Sequence, residues 1–449
     1  MTRTPRTLVM CFDGTANEYN GKNTNVVKLY SLLNQEHAGQ LCYYQPGIGT
    51  YLNPGVVSPV FSWAAKVLDQ GVAWYLDAHV RDGYRFLMQN YRPGDKISLF
   101  GFSRGAYTAR ALAGMIHKIG LLPRDNPEQI PFAYNLYKRT DAESITIAAG
   151  FKKTFCREVQ IEFVGVWDTV ASVGSLVSKT LPFVANNTTI KTFRHALALD
   201  EHRAKFRPNL YHRPSPLDQC TDKSALKQNV MTPVKKGVFP PPSPSKIAAL
   251  SEKMRQSLGK RSSKHHSKHH SESAGLEWAN LPSAAAAEFG WEEKPAHGTD
   301  VLEVWFAGCH CDIGGSAVPD TEKLSLADIT LRWMVKQIVR AQCGIVFDTD
   351  ALHDANIPDS IFTGPDFPPL HDELKRMPLW WILELLPTNY NWQEPNGRWH
   401  NAWSIHLGRA RHLPPDPNLH ITVKERMNDK ALRYVPRATW RRGSETFVD

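Results

Sequence analysis

The chain has no long apolar run. Nowhere in its 449 residues do eighteen consecutive apolar side chains occur, which leaves no transmembrane helix to be read from the sequence. The apolar stretch nearest the start, Leu8–Phe12, is too short for the core of a signal peptide. An intracellular, cytoplasmic protein is the expectation. Cysteines are few and unpaired in pattern: seven, at positions 11, 42, 156, 220, 309, 311 and 343. An odd, scattered set is no disulfide framework for a chain of this length. Cys309-His310-Cys311 has no second ligand pair at zinc-like spacing, so no metal site is expected. There is no internal repeat. The charge balance is basic, with 53 Lys and Arg against 44 Asp and Glu. The excess falls in short runs such as Lys235–Lys236, Lys260–Arg261 and Arg441–Arg442 rather than on one folded segment. A nucleic-acid partner is therefore not expected.

What is present is globular: 42% hydrophobic and 10% aromatic residues, enough to bury a sizeable core. The first half alternates short apolar runs with helical spacing. Strands are expected at 7–12, 41–45, 96–102, 159–168 and 300–310. Helices are expected at 23–35, 69–91, 104–120 and 325–342, the first capped by Asn23, Thr24 or Asn25. The stretch "FRHALALDEHRAKF" (193–206) also reads as helical. Nearly continuous apolar strands alternating with helices predict an α/β fold, a mostly parallel sheet covered on both faces. Residues 213–298 break the pattern with "FPPPSPSK" and "KRSSKHHSKHHSES", a composition expected to stay disordered. The expected organisation is thus a domain over 7–345, interrupted at 213–298, and an irregular Trp-rich C-terminal extension over 346–449 packed on it.

The stretch "LFGFSRGAYTAR" (99–110) carries the chemistry. Gly101-x-Ser103-x-Gly105 matches the nucleophile elbow, in which a serine sits on a strained strand-to-helix turn and side chains at the flanking positions would collide. The pattern alone is unspecific: on the order of one chain in ten of this length contains it by chance. Its context is specific, because an apolar strand precedes it and a helix with small residues at Ala106 and Ala109 follows.

A serine hydroxyl needs a base. His310, in the turn after the strand "LEVWFAG", fits that role. His195 and His202 have a packing or salt-bridging reading, and the pairs at 265–266 and 269–270 lie in the insert. For the acid, Asp168 at the end of "FVGVWD" is preferred. Asp312 could orient the loop, and Asp200 and Asp13 are further alternatives. The oxyanion hole is expected from the Arg104 amide and an amide of the Asp13–Thr15 loop near Gly14. Asp-Gly-Thr also occurs in Asp-x-Asp-Gly-Thr phosphatases, but Cys11 stands where their nucleophilic carboxylate would be. That argues strongly against aspartyl-phosphate chemistry.

Taken together, "CFDGTANEYNGKNTNV", "LFGFSRGAYTARALAGMI", "GVWDTVASVG", "RHALALDEHRAKFRP" and "VWFAGCHCDIGGS" resemble the α/β-hydrolase family that includes the catalytic domain of type VI secretion phospholipase effectors. The resemblance spans about 7–210 and 300–345, in order. It implies an α/β-hydrolase fold and lipid ester hydrolysis, with the nucleophile on Ser103, the histidine on His310 and the strand-end aspartate on Asp168. The expected protein is a serine ester hydrolase that uses no cofactor. Its substrate would be a lipid or other acyl ester, with peripheral contact to an anionic membrane. The apolar stretches 55–68 and 377–387 would serve as lid or acyl pocket, or as core. The rival is a hydrolase-fold protein that binds without turnover. Nothing in the sequence bears on oligomeric state.

Overall fold

A computed structural model describes residues 4–14, 17, 19–47, 70–170, 181–211, 298–322, 324–357, 367–385, 387–393 and 399–449. The stretch at 55–68, residue 15, and nearly all of the insert, with its histidine pairs, lie outside the described residues.

The apolar runs become strands: β1 (Thr7–Phe12), β2 (Gln40–Gln45), β3 (Lys96–Phe102), β4 (Ile161–Trp167), β5 (Ile190–Ala198) and β6 (Asp300–Phe306). Helices alternate with them: α1 (Asn25–Ser31), α2 (Gln70–Asn90), α3 (Arg104–Ile119), α4 (Ile130–Lys138), α5 (Ala142–Phe155), α6 (His310–Gly314) and α7 (Leu326–Ala341). Thr24 caps α1, its side chain accepting from the Val27 amide. Ser325 and Asp328 form a capping box on α7, satisfying donors the helix itself cannot.

With two short C-terminal strands, β9 (Asn418–His420) and β10 (Thr446–Val448), the main sheet has eight strands in the order β10-β9-β6-β5-β4-β3-β1-β2, and every pairing in it is parallel. Both faces are covered, as the period-2 alternation of β1 shows. Leu8, Met10 and Phe12 pack with Tyr84 of α2 and Leu112 and Ile116 of α3. Val9 and Cys11 pack with Val26 and Leu29 of α1 and Met334 and Ile338 of α7. Among the described residues, no helix is long and apolar enough to cross a membrane.

Two elements differ from expectation. Residues 190–198 form strand β5, bonded between β4 and β6, although the stretch 193–206 was expected to be helical. The apolar residues Phe193, Ala196 and Leu197 fit either period, and insertion into the centre of a sheet overrides helix propensity. The C-terminal segment is also more regular than its composition suggests. It carries short helices α8 (Thr349–Asp354), α9 (Glu373–Arg376) and α10 (Trp381–Glu384), and an antiparallel pair, β7 (Pro387–Gln393) and β8 (Trp399–Ile405). Beyond these, β9 (Asn418–His420), α11 (Ile421–Asn428) and β10 (Thr446–Val448) follow. β9 joins the main sheet beside β6, and β10 joins beside β9. Strands of three residues are too short for a period to show in the sequence.

Candidate active site

The site lies where parallel strands end together. β3 delivers Ser103, neighbouring β4 delivers Asp168, and the start of α6, just beyond β6, delivers His310 where a turn was expected. The Ser103 amide donates to the Trp167 carbonyl at 3.0 Å, and the Asp168 amide to the Ala196 carbonyl at 2.7 Å. The strand ends are thereby tied side by side.

Ser103 has φ 57° and ψ −119°, a conformation that L-residues rarely hold and that stores strain where the fold imposes it. The flanking glycines are required. A Cβ on Gly101 would stand 2.5 Å from the Gly105 carbonyl oxygen, and one on Gly105 would stand 2.2 Å from that of Phe12. Asp168 also has positive φ, 37°.

Ser103, His310 and Asp168 meet. The Ser103 hydroxyl lies 2.8 Å from His310 Nε2, and His310 Nδ1 lies 2.6 Å from Asp168 Oδ2. An ionised carboxylate only accepts, so Nδ1 carries the imidazole proton and Nε2 accepts from the serine. All three residues are buried. The imidazole is held between rings, with the Phe102 centroid 4.6 Å away and Phe206 edge-on at 4.7 Å.

The electrostatics suit a neutral base beside an ionised acid. Burial lowers the pKa of His310, and this outweighs the opposing influence of Asp168. For Asp168 burial acts upward, but Arg411 and the hydrogen bonds from His310 and Arg411 hold the carboxyl well below its usual range. Arg411 donates from Nη1 to Oδ1 at 2.6 Å and from Nη2 to Oδ2 at 2.9 Å. A second buried pair stands beside His310. Glu201 accepts from Arg203 Nη2 at 2.8 Å and from the His310 amide at 3.2 Å. The Arg203 guanidinium lies over the Phe206 ring, 3.6 Å from its centroid.

The other candidates have different work. Asp312 accepts from the amides of Cys309 and His371, at 2.9 Å each, and so shapes the His310 turn. Asp200 accepts from the Gly308 amide and the Tyr434 hydroxyl. His195 Nε2 accepts from the Thr169 amide, and His202 joins Asp372 to Gly408. Asp13 accepts from Thr24, Tyr44 and the Gly14 amide. The Gly14 N–H, an expected oxyanion donor, thus has a resident acceptor at 2.7 Å. The Arg104 amide opens α3, at the positive end of the helix dipole. A cavity of about 480 Å³ lined by Lys22, Val318, His371, Lys375 and Arg376 is not lined by Ser103, His310 or Asp168. Among the described residues no cluster of His, Cys, Asp or Glu could hold a metal ion.

Sequence reasoning missed Arg411 and the Glu201–Arg203 pair. The stretch "DEHRAKF" holds Glu201, Arg203 and Phe206 together, but a helical reading spreads them around a cylinder. Arg411 has no local signal, since its partner lies 243 positions earlier.

The chain is 30% identical to the uncharacterized protein YEL023C of Saccharomyces cerevisiae, over 93% of this chain and 78% of the yeast protein. A crystal structure of an uncharacterized protein from Pseudomonas aeruginosa shares 16% identity at a TM-score of 0.35, over 86% of this chain and 51% of that one. The Tle1 effector bound to the VgrG spike of the type VI secretion system shares 19% identity at a TM-score of 0.27, over 45% of this chain and 47% of that one. The chain thus spans about half the length of the solved structures it matches. The family model for the Tle1-like phospholipase effector catalytic domain matches residues 6–337. By that match, over most of its length, the chain belongs to the family of type VI secretion phospholipase effector Tle1-like catalytic domains.

Proposed function

We propose that the protein is a serine ester hydrolase acting on lipid acyl esters through Ser103, His310 and Asp168. The observation that carries this is the continuous relay from the Ser103 hydroxyl through both imidazole nitrogens to the Asp168 carboxylate.

In this reading Ser103 Oγ attacks the acyl carbonyl as His310 Nε2 takes its proton. Asp168 keeps the imidazole in the tautomer that leaves Nε2 open and stabilises the imidazolium once formed. The negative oxygen of the tetrahedral intermediate meets the Arg104 amide. The Gly14 amide becomes the second donor once it leaves Asp13 Oδ1. His310 then returns the proton to the departing alcohol, which for a phospholipid is a lysolipid. Water repeats the sequence to release the fatty acid and restore Ser103. Side chains and backbone amides supply every step.

The partner in this reading is a lipid surface. Trp381, Ile382, Leu385, Ile405 and Leu407 are large apolar side chains left exposed, and the Leu407 amide donates to the Glu384 carbonyl, so the two segments adjoin. Trp380 meets Phe206 edge-on at 5.4 Å, and Phe206 meets His310. The apolar rim therefore starts at the site. The exposed cations Lys375 and Arg376 suit anionic headgroups beside it.

The test is hydrolysis of an acyl-ester series, from short-chain esters to phospholipid vesicles, by wild type and Ser103→Ala, with fluorophosphonate labelling. The expected result is turnover and labelling by wild type and a loss of at least about a thousandfold in the variant. No turnover on any ester and no labelling of Ser103 would leave the binding-protein reading in its place.

A further inference from the structure

Every acceptor position of Asp168 is occupied. Oδ1 accepts from the Ala198 amide at 3.0 Å and from Arg411 Nη1 at 2.6 Å. Oδ2 accepts from His310 Nδ1 at 2.6 Å and from Arg411 Nη2 at 2.9 Å. Two carboxylate oxygens offer about four lone-pair sites, so the group has no freedom to rotate without breaking a bond. The Arg411 fork is itself fully engaged at its tip. Nη1 also donates to the Ala198 carbonyl at 2.8 Å, and Nη2 to the Phe206 carbonyl at 2.5 Å. Both partners of the pair are buried. The arginine's backbone is pinned in turn: the Thr439 amide donates to the Arg411 carbonyl at 2.9 Å, and the Leu413 amide to the Thr439 carbonyl at 3.0 Å. Arg411 belongs to the C-terminal segment, beyond the span 6–337 that the family model matches.

We propose that Arg411 is a positioning residue of this active site: its bidentate grip fixes the Asp168 carboxylate in the orientation in which Oδ2 meets His310 Nδ1, and so makes the C-terminal segment part of the catalytic apparatus. The proposal rests on the Ser103–His310–Asp168 reading. A planar guanidinium can hold both oxygens at once, which an ammonium cannot. The charge has its own consequence. A cation paired to Asp168 offsets the field that would otherwise stabilise imidazolium, so His310 stays neutral, and able to accept a proton, to lower pH. The other groups facing His310 are Ser103 at Nε2, the Glu201–Arg203 pair at its amide and ring side, and Cys309, Cys311 and Asp312 on its own turn, with His371 bonded to Asp312. Arg411 is the cation in direct contact with the acid.

Two variants separate grip from charge. Arg411→Lys keeps the charge and loses the fork. On a soluble short-chain ester its kcat should fall at least about tenfold, with KM within about twofold and the acid limb of kcat/KM in place. Arg411→Gln loses both. Its kcat should fall further, and the acid limb should move up by about one pH unit, along with the His310 imidazole titration followed by NMR. Wild-type kcat in Arg411→Lys, or an unmoved imidazole titration in a folded Arg411→Gln, overturns the proposal. Should Arg411→Gln fail to fold, the kcat of Arg411→Lys decides. Should wild type hydrolyse no ester, the hydrolase reading fails on its own, and the NMR titration still decides whether Arg411 governs His310: an upward shift supports it and an unmoved one overturns it.

Discussion

The amide of Thr169 donates to Nε2 of His195 at 3.1 Å. That bond fixes the His195 tautomer, so Nδ1 carries the proton and donates to Glu303, 2.9 Å away. Thr169 directly follows Asp168, whose positive φ needs its neighbours to hold it. His195 is fully buried. Its replacement by Ala leaves the buried Thr169 amide without its acceptor and takes one of two donors from Glu303, which keeps the Tyr211 amide, at a cost of about 2–4 kcal/mol. His195→Ala should therefore melt at clearly lower temperature and lose activity, while its KM for a short-chain ester changes little. Full activity with an unchanged melt would show that the loop after Asp168 holds itself.

The elbow glycines give a sharper test. A methyl at position 105 would sit 2.2 Å from the Phe12 oxygen and 2.4 Å from that of Asp13, both backbone atoms at the end of β1. Neither can move without disturbing β1, which is paired on both sides. Gly105→Ala should be destabilised by about 3 kcal/mol or more and show no fluorophosphonate labelling, as read by urea denaturation and gel fluorescence. A stable, labelled variant would place the elbow elsewhere.

Much of this arrangement was legible in the sequence because its signals are local. β1 and β3 show as continuous apolar runs, and the Gly101-x-Ser103-x-Gly105 spacing sits at the junction of a strand and a helix. The end of a parallel strand locates Asp168, and the turn after β6 locates His310. What was not legible depends on distant partners. β5 shares its apolar spacing with a helix until β4 and β6 flank it. Glu201, Arg203 and Phe206 lie in a stretch that reads as helical, until the chain turns there and brings Glu201 to the His310 amide and Phe206 edge-on to its ring, with Arg203 over Phe206. Arg411 is one basic residue in an irregular tail, and only the fold brings it to Asp168.

Ser103 at φ 57° is strained. Ser103→Ala removes the hydroxyl and keeps the strain, whereas Ser103→Gly removes both. The strain is of order 1–3 kcal/mol, against roughly 0.5–1 kcal/mol for the extra chain entropy of glycine. Strain relief wins. Both variants should be inactive, and Ser103→Gly should be about 1 kcal/mol more stable than Ser103→Ala in urea titrations. Equal stabilities would mean that the elbow is held without strain.

Acid should act on activity and stability in the same direction. The folded pKa of His310 lies below the ordinary 6.5 through burial, so the base remains neutral as pH falls to that value, and the acid limb of kcat/KM should lie below it. Glu201, fully buried, feels burial upward, but Arg203 brings its carboxyl down from 4.5 to about 2. A depressed carboxylate contributes stability that is complete above about 4.5 and fades as pH falls toward 2. Its size is about 3 kcal/mol. His117 and His420, each lowered to about 4 by burial, add to the loss, because the unfolded chain protonates them first. Asp13 and Asp200, raised by burial, act the other way, so the check is the difference between variants: Glu201→Gln should show a shallower decline of unfolding free energy below pH 4.5 than wild type. A matching slope in that variant would remove Glu201 from the account.

The apolar rim can be separated from the chemistry. Trp381, Leu385 and Leu407 are 44%, 59% and 51% exposed. Full burial of such a side chain is worth about 1.5–3 kcal/mol, so the exposed part of each contributes about 1 kcal/mol on entering a lipid surface. Together they contribute about 3 kcal/mol, or roughly a hundredfold in partitioning. The triple variant Trp381→Ser, Leu385→Ser, Leu407→Ser should lose most of its co-sedimentation with anionic vesicles, and its hydrolysis of vesicle phospholipid should fall by a comparable factor. A soluble short-chain ester has no surface to partition onto, so its turnover should stay within about twofold of wild type. Added salt should weaken the residual vesicle binding, because Lys375 and Arg376 remain. Equal losses on both substrates would make the rim a part of the folded core, and equal retention on both would place the lipid contact on another face.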